Sequence, residues 1–282
     1  MIDRVPLPPV LHPLFPDGAT ARSTLGTSLP PGRLIVPAGS GGAPVMWLSD
    51  GPAPAGLWEE LQREHPHSGL WPLLLTHPAG DLDFRPWATG ELALEQASLA
   101  FGHDPAAVLR DWWNSPSTAR PDDPGEAADR LRMLEPYGHE WPGPAPSPAP
   151  AEKGDPMAAA AAAAQWLLHH DPKLRIGLVR ADSGAEALAV CGWTGARNYT
   201  GADRIGAVLR SWEERYGARL VEVGLTGLRL SVPWRPADLD EALPLAAEHV
   251  AFCPGNVLRG TESLIDYAEE LVVEKCWSFW WA

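Results

Sequence analysis

Cysteine and basic charge are both in short supply in this 282-residue chain. Three cysteines cannot all pair and fit no disulfide framework, which predicts a reducing, cytoplasmic compartment. Twenty-two basic side chains face 36 acidic ones, a formal net charge of −14. A surface of that sign repels nucleic acid and anionic membranes, so neither is expected as a partner. No apolar run approaches membrane-spanning length. The N-terminal MIDRVPLPPVLHPLF has neither the basic segment nor the unbroken apolar stretch of a secretory signal. Common catalytic signatures are missing as well. Gly39-Ser-Gly-Gly lacks the third glycine of a dinucleotide loop and the Lys-Ser/Thr ending of a phosphate loop, and there is no Gly-x-Ser-x-Gly or His-Glu-x-x-His. No cofactor and no metal are expected.

What is present is a core. Apolar residues make up 45% of the chain and include 14 tryptophans, which excludes wholesale disorder. Proline divides the molecule: residues 1–156 hold 26 of the 31 prolines. Residues 141–156, WPGPAPSPAPAEKGDP, alternate Pro and Ala without apolar periodicity, the pattern of an extended, semi-rigid spacer. The expected organisation is a Pro-rich α+β region over 1–140, a linker over 141–156 and a second α+β domain over 157–282. Mixed strands and helices with antiparallel hairpins predict an α+β fold with a mixed or antiparallel sheet and packed helices.

Local patterns place the elements. RLIVP (33–37) and VMWLS (45–49) read as strands, and LWPLLLT (70–76) as a strand that Pro72 confines to an edge or bulge. Helices are expected from Leu57 to a stop before Pro66, over Glu91–Phe101, and over Pro105–Trp113 with Asp104 as N-cap. His65 and His67 flank that stop as a solvated turn. Tandem Trp112-Trp113 is expected to divide between core and surface. Seven alanines, 158–164, behind Asp155-Pro156 predict a helix that Asp171-Pro172 ends. Leu174–Arg180 and Ala187–Trp193 read as a hairpin. Ile205, Val208, Leu209, Trp212 and Tyr216 mark an amphipathic helix, with Thr200 and Asp203 as a capping box and Gly217 as a left-handed stop. A second hairpin turns at Thr226-Gly227. Asp238 and Glu241 open a helix to about Phe252, which Pro244 either kinks or starts. Thr261–Glu274 forms a last helix with Leu264, Ile265, Ala268, Leu271 and Val272 inward. The terminal KCWSFWWA then reads as a buried strand.

Over its last 110 residues or so the chain resembles an actinobacterial family known only as domain of unknown function 4253. GWTGARNYTG (192–201), LRSWEERYGARLVEVG (209–224), AAEHVAFCPGNV (246–257), IDYAEELV (265–272) and WSFWW (277–281) carry the resemblance. It implies no activity and no catalytic set.

Two constellations carry candidate chemistry. His249 and Cys253 stand four apart on one helical face beside Glu248, the spacing of a cysteine nucleophile with its base. Against that, cysteine is among the most buried residue types. The GWTGARNYTG loop sets Trp193, Arg197 and Asn198 before a helix N-terminus, and Asn256 lies just past the His249–Cys253 helix; all four could contact a ligand. Against that, such loops need Gly and Asn for their own turns. The charge and the tryptophans favour a non-catalytic protein-binding module whose partner has a basic surface, as when an immunity protein neutralises a basic toxin. The alternative is an enzyme or small-ligand binder with a cleft around His249, Cys253 and the Trp193–Asn198 loop.

Overall fold

The computed structural model describes residues 5–16, 18, 23–37, 40–78, 80–93, 102–115, 124–148, 154–258 and 263–281. Seven strands among them form one sheet in the order β1 (Gly32–Ile35), β2 (Met46–Ser49), β4 (Arg175–Arg180), β3 (Leu70–Leu75), β5 (Arg219–Val223), β6 (Gly227–Ser231) and β7 (Cys276–Trp280). Neighbours are antiparallel except β3 and β5, which run parallel through Leu74–Glu222 and Leu75–Val223. With helices on both faces this is an α+β fold. β4 follows the Pro/Ala-rich stretch yet sits between β2 and β3, which precede it. Segments on the two sides of residues 141–156 therefore share one sheet.

Side chains alternate between two cores, as the period of two in a strand requires. Leu70 and Leu74 of β3 and Ile176 and Leu178 of β4 face α1 (Leu57–Ser68), α4 (Pro156–His170) and a 3-10 helix, Pro9–Leu14. Trp71, Leu73 and Leu75 face the larger core, built with α2 (Pro105–Trp113), α5 (Gly184–Cys191), α6 (Ala202–Tyr216), α7 (Leu239–Phe252) and α9 (Leu264–Val273). Two shorter pieces are α3 (Pro124–Met133) and α8 (Gly255–Leu258).

Several expected elements form as read. Asp104 and Asp155 cap α2 and α4 from their side chains, Gly217 ends α6 in the left-handed conformation, and β5–β6 is the hairpin around Thr226-Gly227. α7 starts at Leu239, before Pro244, behind an Asp238 carboxylate that accepts from Glu241 N.

Others are corrected. The segment after β4 is a helix, α5, because Ser183 caps it and its alanine-rich stretch propagates helix better than strand. β3 is interior: its ladder to β5 starts only at Leu74, and the Pro72 carbonyl accepts from Trp58 Nε1 instead of a strand. α1 continues through Pro66 to Ser68, so His65 and His67 stand in its last turn, and His65 Nε2 lies 2.8 Å from the Ala181 carbonyl. Trp112 and Trp113 are both buried. α6 has Gly201, not Thr200, as N-cap, which has no side chain to bond, and the Asp203 carboxylate is engaged by His103 at 2.8 Å. Ile265 is exposed and Tyr267 is buried in its place. Of the helix expected over Glu91–Phe101, residues 94–101 lie outside the described residues.

Candidate functional site

Glu248 and His249 occupy the last turns of α7, Cys253 is its C-cap in a non-helical conformation, and all three are sealed. Glu248 points into the larger core. Its carboxylate accepts from Arg215 Nη1 and Nη2 at 2.9 and 2.7 Å, from Trp212 Nε1 at 2.7 Å and from the Ala145 amide at 2.7 Å. Arg215 also donates to the Ala145 carbonyl. The group thus ties the Pro/Ala-rich stretch to α6 and α7, a fully used carboxylate with no oxygen left for chemistry.

His249 is fully buried among the rings of Trp212, Trp277 and Phe279, with centroids 4.5–4.9 Å away. Its Nδ1 lies 3.0 Å from the Tyr267 hydroxyl, which also receives Asn256 Nδ2 at 3.1 Å. His249 Nε2 has no polar partner and faces aromatic rings. Burial first, then the Arg215 charge, hold this imidazole well below the ordinary histidine range, so it stays neutral.

The Cys253 thiol does not bond to the His249 ring; only the main-chain N–H of Cys253 donates to the His249 carbonyl, at 2.8 Å. The thiol donates to the Trp280 carbonyl at 3.0 Å, and burial pushes its pKa up to about 11. Asn256 Nδ2 likewise donates to the Ser278 carbonyl at 2.6 Å. These two contacts share a logic. The β6–β7 ladder uses the odd-numbered residues of β7, with bonds from Trp281 N to Thr226 O and from Val232 N to Lys275 O at its ends. Main-chain groups of Cys276, Ser278 and Trp280 therefore point away from the sheet. Cys253 and Asn256 cover two of the outward carbonyls, blunting an edge that would otherwise template further pairing.

The GWTGARNYTG segment connects α5 to α6, two helices, rather than a strand to a helix. Trp193 is buried, donates from Nε1 to the Gly224 carbonyl at 2.9 Å and packs edge-on against Trp281. Arg197 and Asn198 are exposed on the turns that follow. Trp193 and Cys253 thus belong to the core, Arg197 and Asn198 to the surface. Asn256 lines a cavity. Among the described residues no group of three or more His, Cys, Asp or Glu side chains could hold a metal.

Two open spaces lie elsewhere, at the β7 end of the sheet. A groove of about 630 Å³ runs between α4 (Ala159, Ala162, Trp166) and the ends of β6 and β7 (Val232, Pro233, Cys276), with Arg235, Glu274 and Lys275 also lining it. It exists because the alanines of α4 are too short to cover the last strand. Trp166 stands 55% exposed beside it, stacked on His170 at 4.0 Å. A cavity of about 320 Å³ lies between α9 and β7, lined by Asn256, Tyr267, Glu270, Ser278 and Trp280 among others, and shares Glu274 and Cys276 with the groove. The sequence signals for these spaces were a lone tryptophan at the end of an alanine run and a carboxylate-rich face on α9. For the buried network they were Glu248 and His249 inside the otherwise apolar AAEHVAF.

A family model described as Domain of unknown function (DUF4253) matches residues 175–282. The resemblance carried by GWTGARNYTG through WSFWW therefore stands, and the match extends back to the first residue of β4. No curated protein and no solved structure matches the chain.

Proposed function

We propose that this chain is a non-catalytic protein-binding module whose contact surface runs along the β7 end of the sheet, from α4 to α9, and whose partner offers a segment that is both apolar and basic. The observation that carries the reading is the 630 Å³ groove with its half-exposed Trp166. An apolar groove bordered by an exposed tryptophan is the usual make-up of an interface centre. Charge selects the partner: Asp266, Glu269, Glu270 and Glu274 on the exposed side of α9 and the turn after it outnumber Arg235 and Lys275 at the groove, in a chain of net charge −14. Complementary charge favours encounter with a basic surface. The enzyme alternative draws less support. It needs a reactive thiol, whereas Cys253 is buried, hydrogen-bonded and a weak acid.

Fluorescence anisotropy against short labelled peptides tests the reading. Peptides that combine leucines with lysine or arginine are expected to bind, more weakly as salt rises, and peptides with the same leucines but acidic charge are not. Ala162→Arg, which fills the groove from an exposed helical position, is expected to abolish binding without changing the melting temperature. Equal binding of acidic and basic peptides, or binding indifferent to Ala162→Arg, would overturn it.

A further inference from the structure

The flank of α4 away from the groove packs on α1, and there the fold buries an amide that it leaves half used. Leu57, Trp58 and Leu61 turn the apolar stripe of α1 inward, and Gln62 falls on the same stripe, 4% exposed. An apolar side chain would fill that position with nothing to satisfy. The Gln62 carboxamide makes a single hydrogen bond among the described residues, from Nε2 to the Met157 thioether at 3.5 Å, and a thioether is a weak acceptor. Its Oε1 and its second Nε2 hydrogen have no partner, and Oε1 keeps access to solvent. Buried amides are ordinarily satisfied, so an unspent one calls for a reason.

The reason offered by the structure is the space beside it. A pocket of about 360 Å³ opens between α1 and the first turns of α4, with Gln62 in its lining and apolar walls from Trp58, Pro66, Met157 and Ala161. That volume falls within the range of about 300–1,000 Å³ common to small-molecule sites, which pair apolar walls with a few placed polar groups. Glu59, Arg63 and Asp155 also line it, but their charges are engaged: Glu59 accepts from Arg63 at 2.8 Å and from Gln165 at 3.3 Å, and Asp155 caps α4 through the Met157 amide at 2.9 Å. Two carboxylates against one guanidinium disfavour an anionic occupant.

We infer that this pocket binds a small neutral molecule with an apolar body and a carboxamide head, and that Gln62 is the residue that reads the head. A carboxamide offers the matching pair: its N–H donates to Gln62 Oε1, and its carbonyl accepts the unspent Nε2 hydrogen. The site does not rest on the docking reading, whose groove uses the other flank of α4.

The test is a titration of the full chain with benzamide, N,N-dimethylbenzamide, which has no N–H, and benzoate, which has no N–H and carries a negative charge. Saturation-transfer NMR measures affinity, and ¹H–¹⁵N correlation spectra follow the Gln62 side-chain amide. Benzamide is expected to bind with an affinity on the order of millimolar and to shift that amide, and the other two to bind about tenfold more weakly or less. Gln62→Leu should lose about tenfold or more in benzamide affinity and at the same time melt about 2–4 °C higher, because a half-satisfied buried amide is gone. Ala158→Phe, which fills the pocket from an exposed position in the first turn of α4, should abolish binding without changing the melting temperature. Failure of benzamide to bind the parent chain, equal binding of the three probes, or binding that survives either substitution overturns the inference. A Gln62→Leu variant that melts below the parent overturns it too, because the amide then serves the fold.

Discussion

Replacing Glu248 with alanine should destabilise the chain severely, and the cost can be worked from its contacts. The carboxylate is fully buried and takes four hydrogen bonds, two from Arg215 and one each from Trp212 and the Ala145 amide. Removing one partner of a buried ion pair costs about 3–5 kcal/mol. The Arg215 side chain is only 16% exposed, so water recovers little of that. The Trp212 N–H and the Ala145 N–H are orphaned at the same time, at about 1–3 kcal/mol each for an isolated case. Since these losses overlap, about 5 kcal/mol is the working figure. At about 2–4 °C per kcal/mol for a chain of this size, the melting temperature should fall by about 10–20 °C. Calorimetry measures that, and hydrogen exchange localises it: the Ala145 amide should lose protection before the strands do. Arg215→Met/Glu248→Leu removes both charges but still strands the two N–H donors and the Ala145 carbonyl, so it should recover only about half of the loss. A Glu248→Ala variant that melts within about 2 °C of the parent, or a double variant no better than the single, refutes this account of the network.

Three further outcomes follow from other groups. With iodoacetamide at pH 8, Cys276, which is partly exposed, should alkylate first; Cys253 and Cys191, buried with thiol pKa values pushed up to about 11 and about 12, should react only on the timescale of unfolding, as peptide mass spectrometry would show. Fast labelling of Cys253 would contradict its burial. Burial raises the Glu213 carboxyl from 4.5 to about 7 despite Arg219 and the Ala185 amide, so the folded state holds a proton that the unfolded chain releases. Its stabilising effect is fully present below about pH 4.5 and disappears as pH rises through about 7, up to about 3 kcal/mol in all. Urea melts of Glu213→Gln should be flat over that window and more stable than the parent at pH 8. Deleting residues 277–282 strips three buried rings, Trp277, Phe279 and Trp281, each worth about 3–5 kcal/mol, and should abolish cooperative melting; a soluble, sharply melting truncation would refute it.

Much of the fold was legible because its signals are local. α2, α4 and α7 carry their caps in the sequence, α6 announces itself through five apolar residues at helical spacing, and the aromatic terminus reads as a buried strand. Errors arose where a distant partner decides. Pro72 reads as an edge residue until Trp58 takes its carbonyl, and Thr200 with Asp203 reads as a capping box until the N-cap falls on Gly201 and His103 engages the Asp203 carboxylate. α5 was lost because Ala, Leu and Val suit either element when Ser183 goes unread as an N-cap. The candidate site suffered in the same way. His249 lies in α7 and Cys253 is its C-cap rather than part of the helix, and their spacing says nothing of which way each bonds. Tyr267 and Trp280, 18 and 27 residues away, take one each. Glu248 inside an apolar run signals a buried pair, yet only the fold reveals Arg215 as its partner.

The placement of β4 between β2 and β3 has a consequence for synthesis on the ribosome. When residue 170 has just emerged, β1, β2 and β3 are all present, but the strand that joins β2 to β3 has not been made. The nascent chain then carries an open apolar seam, lined by Trp47, Leu48, Leu73 and Leu74. Unpaired edges of this kind invite association with neighbouring chains or with chaperones. A fragment limited to residues 175–282 meets the converse problem, since β4 and β5 have no ladder to each other without β3 between them. The seam between β2 and β3 therefore stays open until β4 has been made, and β5 can join the sheet only through β3.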